Sequence, residues 1–105
     1  MSAVTKMKDK QPLVYEREMT ITHKEFLRLL PKALAGFSYE KNGNLIEIID
    51  QNRLIKINLS EESIRKIASL ELPVTNVRIE LNNFQTKDSA SFISRFSLAY
   101  QKGGG

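Results

Sequence analysis

Between Phe37 and Leu59 the chain spells out an antiparallel meander, and that stretch narrows the possible folds more than any other. Phe37-Ser38-Tyr39-Glu40-Lys41 runs into Asn42-Gly43, and Asn44 to Asp50 follows as a second strand-like run. Gln51-Asn52 then leads to Arg53–Leu59, where Ile55, Ile57 and Leu59 alternate with Lys56 and Asn58. Alternation of period two places the apolar set on one face of a pleated strand and the polar set on the other. Asn-Gly between two such runs favours a type I′ turn, because both central residues tolerate positive φ. A meander of this kind has one apolar face to cover and one solvated face.

The flanking segments supply the cover. Tyr15, Met19 and Ile21 alternate with Glu16, Glu18 and Thr20, and Arg17 interrupts the apolar side as it does at a strand end or an edge. Thr22-His23-Lys24-Glu25 has the pattern of a capping box: the Thr22 hydroxyl takes the Glu25 amide and the Glu25 carboxylate reaches back. The predicted helix buries Phe26, Leu27, Leu30 and Leu34. Pro31 removes one intrahelical hydrogen bond, so the helix either stops near Leu30 or kinks and continues to Ala35, with Gly36 as a left-handed stop. Ser60 reads as the cap of a second helix with Glu61 and Glu62 in its first turn. Ile64, Ile67 and Ala68 face inward on it, Arg65 and Lys66 face outward, and Pro73 helps to end it. Val74–Leu81 returns to alternation, and Asn82-Asn83 marks a turn. Phe92, Ile93, Phe96, Ala99 and Tyr100 form the stripe of a last amphipathic helix.

The expected element order is β-α-β-β-β-α-β-α. The fold class is α+β: a two-layer sandwich of an antiparallel-dominated sheet of about five strands with three helices on it. With 105 residues, one domain is the default. It is expected over residues 13–102, after a flexible N-terminal leader of residues 1–12 and before a glycine tail of residues 103–105. A composition 41% hydrophobic and 27% charged suits a packed core.

Several chemistries drop out. There is no cysteine, which excludes a disulfide framework, a thiolate zinc site, an iron–sulfur cluster and a thiol nucleophile. No apolar run approaches the about 20 residues that cross a bilayer, and the N-terminus lacks the apolar segment of a secretory signal. The expected location is cytoplasmic, without a membrane partner. His23 is the only histidine, a poor basis for a metal site. Glu61 and Glu62 are adjacent and so do not share a helix face. The glycines permit neither a dinucleotide fingerprint nor a phosphate loop. No catalytic, cofactor-binding or metal-ligating residue is assigned, and the expectation is a non-enzyme with no cofactor.

Three binding functions remain. The net charge is +4, with Lys6, Lys8 and Lys10 against Asp9 at the N-terminus supplying half of it. Nucleic-acid binding needs aromatics interleaved with bases on an open sheet, and Tyr39, Lys41, Arg53 and Lys56 are the best set for it. The ending Gly103-Gly104-Gly105 resembles, in its last residues only, that of ubiquitin-like modifiers and small sulfur carriers. The resemblance implies a carboxylate at Gly104-Gly105 that an activating enzyme adenylates. Those families have a β-grasp order and reach their diglycine from a strand, whereas here it follows a helix. The leading expectation is a protein–protein interaction module that binds another protein or itself, with the Asn-Gly hairpin and an edge strand as surfaces for strand addition.

Overall fold

The computed structural model describes residues 11–102; the first ten leader residues and the glycine tail lie outside them. The elements are β1 (Leu13–Met19), α1 (His23–Ala33), β2 (Glu40–Asn42), β3 (Leu45–Asp50), β4 (Arg53–Leu59), β5 (Ser63–Ile67), β6 (Leu70–Asn82) and α2 (Thr86–Lys102). The strands lie in the order β1-β6-β4-β3-β2, every neighbouring pair antiparallel, and β5 pairs with the first residues of β6. The α+β class and the antiparallel sheet are as expected. Arg17 does lie on an edge strand, β1.

Register explains the core. Leu13, Leu81, Ile55 and Ile48 form one row across the sheet, and Tyr15, Ile79, Ile57 and Ile46 the next. These rows pack against Phe26, Leu29, Leu30 and Ala33 of α1 and Phe96 and Tyr100 of α2. Phe26 stacks on Tyr100 at a ring separation of 4.8 Å, and Phe96 lies 5.0 Å from Tyr100. The predicted α2 stripe therefore holds: Phe96 and Tyr100 are buried, with Phe92, Ile93 and Ala99 packed beside them.

Four expectations need correction. First, the described residues hold two helices, not three, because residues 63–67 form a strand. Ile64 and Ile67 are spaced as on a helix face, yet a hairpin at Ala68-Ser69 folds them back on β6, pairing Ile64 with Pro73 and Ile67 with Leu70. Ser60 does not cap a helix: its Oγ accepts the Asn76 amide at 2.8 Å while its own amide donates to the Asn76 carbonyl. Glu62 serves a helix start, but that of α1, accepting the His23 amide at 2.7 Å. Second, Pro73 lies inside β6 rather than ending a helix. Asn76 turns its backbone groups toward Ser60, so Pro73, three residues away in an unbroken strand, turns its missing N–H to the opposite edge. There β1 has already ended, Met19 facing Thr75, and proline in sheets is confined to such free edges.

Third, the Asn-Gly turn is shifted by one residue. Asn42 closes β2 opposite Leu45, leaving Gly43-Asn44 as the loop, and only Gly43, at φ 61°, is left-handed. That is the type II′ pattern, with glycine first. Fourth, only half of the capping box forms. Glu25 N donates to Thr22 Oγ1 at 3.1 Å, but the Glu25 carboxylate is taken by Arg28. Helix α1 runs through Pro31 to Ala33 and stops in left-handed residues at both Ala35 and Gly36.

Candidate interaction surface

Strand β6 is 13 residues long, longer than β1 or β4 on either side of it, and its first part leaves the sheet. From the pair Leu59–Val77 to the pair Ser63–Val74, residues 60, 61 and 62 stand opposite 75 and 76. This is a β-bulge, which bends the strand and sharpens its twist. Beyond it, β5 and the start of β6 form a two-stranded arm. The molecule is 60 Å long against 26 and 25 Å in the other directions. The radius of gyration, 15.5 Å, exceeds the about 12–13 Å of a compact chain of this length.

The arm is apolar where it meets water. Ile64 is 61% exposed, Leu70 60% and Ile67 50%. Ile64 and Pro73 share one face of the ribbon, and Ile67, Leu70 and Leu72 share the other. Scattered exposed aliphatic residues need no explanation; here Ile67 and Leu70 stand directly opposite each other on one face, with Ile64 on the other. Covering the half of each side chain still in water is worth about 1 kcal/mol apiece. Strand addition along the arm is blocked: Pro73 offers no donor on its free edge, and Arg65 and Lys66 sit on the other, the usual guards of an exposed edge. What the arm leaves open is therefore its two faces. Arg65 pairs with Glu18 of β1 at 2.5 Å and fixes the base of the arm to the sheet.

The nucleic-acid residues do not form a group. Tyr39 packs on the core. Lys41 stands on edge strand β2 opposite Ile46, on the helix side of the sheet. Lys56 is on the other side, between Glu47 and Glu80 of the neighbouring strands. That uncovered side also carries Glu16, Glu18 and Glu40, so it repels phosphate rather than attracting it. Arg53 is held by Asp50 at 2.7 Å and Asp88 at 3.8 Å, and lies 4.5 Å over the Phe84 ring.

This last cluster lines a polar cleft of about 250 Å³ with Ser91, Phe92 and Arg95. Both carboxylates share the one guanidinium, and Asp88 lies in the first turn of α2, where a negative charge is favoured. The cluster clamps the β3–β4 turn to the start of α2. His23 is likewise occupied, its Nε2 lying 2.6 Å from the Ser60 carbonyl. Among the described residues no three of His, Asp and Glu gather as a metal would require, and no helix is long and apolar enough to cross a membrane.

The arm is hidden in the sequence because its isoleucines are spaced as on a helix face. The one usable signal was Ile67-Ala68-Ser69-Leu70, a short break between two runs that also alternate. Compared with known proteins, the chain matches no family model, no curated protein and no solved structure.

Proposed function

We propose that this protein is a non-catalytic, cytoplasmic protein-binding module that engages its partner through the β5–β6 arm. The observation that carries this reading is the arm itself, a projecting ribbon with exposed Ile64, Ile67 and Leu70 on its two faces. A ribbon apolar on both faces suits a groove that clasps it better than a flat patch does. Two-stranded ribbons are marginal on their own, and a partner's groove supplies the missing layer.

The test places a photo-cross-linking residue at Ser69, at the arm's tip, and analyses adducts in cell lysate and in the purified protein by mass. The expected result is one defined adduct, a homodimer or a single heterologous complex. An Ile67→Glu/Leu70→Glu variant that melts as the wild type does loses it. Absence of a defined adduct, or an adduct that survives the double substitution, contradicts the proposal.

A further inference from the structure

Arg17 sits where the pattern of β1 requires an apolar residue. It shares a face with Tyr15 and Met19, and its row continues through Val77 to Leu59, both buried. The side chain spans the gap to α2, where Nη1 donates to Ser97 Oγ at 2.8 Å. The neighbouring acids are engaged elsewhere: Glu16 with Arg78 at 3.4 Å and Glu18 with Arg65 at 2.5 Å. Among the described residues no carboxylate pairs with Arg17.

Beside this cation the packing of β1 on α2 is incomplete. A cavity of about 70 Å³ lies between Tyr15, Met19, Val77, Ile93, Phe96 and Tyr100, with Glu16 at its rim. A shallower cleft of about 180 Å³ continues past Thr20 to Gln101, and Arg17 and Ser97 border both. The polar atoms of the floor are already paired. Tyr100 donates to the Phe26 carbonyl at 2.8 Å, and the Tyr15 hydroxyl lies 3.2 Å from Ser89 Oγ. What remains is a largely carbon-lined groove with one guanidinium at its mouth, bordered by Glu16 and Glu18, whose carboxylates are taken by Arg78 and Arg65. An arginine stem lying over apolar surface is common; here the head group is exposed, and its remaining donors face water rather than a protein acceptor. A guanidinium matches a carboxylate with two parallel hydrogen bonds.

We propose that the groove between β1 and α2 binds a small amphipathic carboxylate, an aliphatic or aromatic acid, through Arg17 and Ser97, with its apolar body against Tyr15, Ile93 and Phe96. The volumes suit a body of about six to eight carbons. The site is separate from the arm and stands whether or not the arm has a protein partner.

Octanoate is the probe, followed by amide chemical shifts, with octan-1-ol and octylammonium at equal ionic strength as controls. Octanoate is expected to shift β1 and α2 amides saturably and to bind at least tenfold more tightly than octan-1-ol, with octylammonium giving no saturable change. Arg17→Gln, on an exposed edge, is expected to weaken octanoate at least tenfold while leaving octan-1-ol unchanged. Ile93→Trp, which fills the cavity, is expected to weaken both. Equal affinity for octanoate and octan-1-ol, shifts confined to the arm, or no saturable shift overturns the proposal.

Discussion

Tyr100 joins burial, ring stacking and a hydrogen bond in one side chain. It is 2% exposed, stacks on Phe26 and donates its phenol proton to the Phe26 carbonyl. Burial, with a smaller push from Tyr39, raises its ionisation far above the ordinary 10.0. The unfolded chain therefore loses this proton near pH 10.0 while the folded one keeps it. The stability linked to Tyr100 is complete below that pH and declines as pH rises above it. Tyr100→Phe is expected to cost about 1 kcal/mol at neutral pH through the lost hydrogen bond. Its stability should then fall less steeply than the wild type's once pH passes 10.0. Urea unfolding of both proteins across that range is the check; parallel curves would show that the phenol is not the titrating group. The other buried hydroxyls follow the same rule of satisfaction, Thr75 donating to the Ile21 carbonyl at 2.9 Å and Ser89 to the Thr86 carbonyl at 2.7 Å.

Among the elements, α1 carries the clearest local cost. Pro31 lies inside it, so the Leu27 carbonyl lacks its usual donor and is crowded by the ring. Nothing tertiary requires the ring, which is exposed. Pro31→Ala is expected to raise the unfolding free energy by about 1–3 kcal/mol, read as a higher urea midpoint with an unchanged slope; a lower midpoint would mean that the ring fixes the turn at Ala35-Gly36. Pro31 was recognisable from sequence because its conflict is local, and so were the meander, the Thr22 cap and the α2 stripe. Strand β5 was not. Ser60-Glu61-Glu62 with Ile64 and Ile67 satisfies a capped helix equally well, and the decision falls to Asn76, Glu18 and the start of α1, far away in the chain. The candidate sites divide in the same way. Arg17 stood out as a break in alternation, but the groove beside it exists only once α2 packs on β1. Tyr39, Lys41, Arg53 and Lys56 looked like one patch because sequence proximity hides which face and which end of the sheet each residue occupies.

At the scale of the whole molecule, the core and the arm are energetically separable. No residue from 63 to 73 belongs to the buried cluster, and the Arg65–Glu18 pair that ties the arm down is exposed and worth at most about 1 kcal/mol. An element that holds three exposed large aliphatic residues in water without serving the core is what the proposed partner contact would account for. Replacing residues 64–73 with Asn-Gly keeps the closing pair Ser63–Val74 and gives the shortened ribbon a turn its twist accepts. The shortened protein is expected to melt within about 4 °C of the wild type, and its radius of gyration by X-ray scattering should fall by about 2 Å. The Ser69 adduct cannot form without the tip, whereas octanoate should still bind saturably, because no residue from 63 to 73 lines the groove; with Arg65 gone Glu18 loses its partner, so the affinity should fall and not rise. A collapse of the melting transition would place the arm within the folding unit, and its apolar surface would then be no argument for a partner.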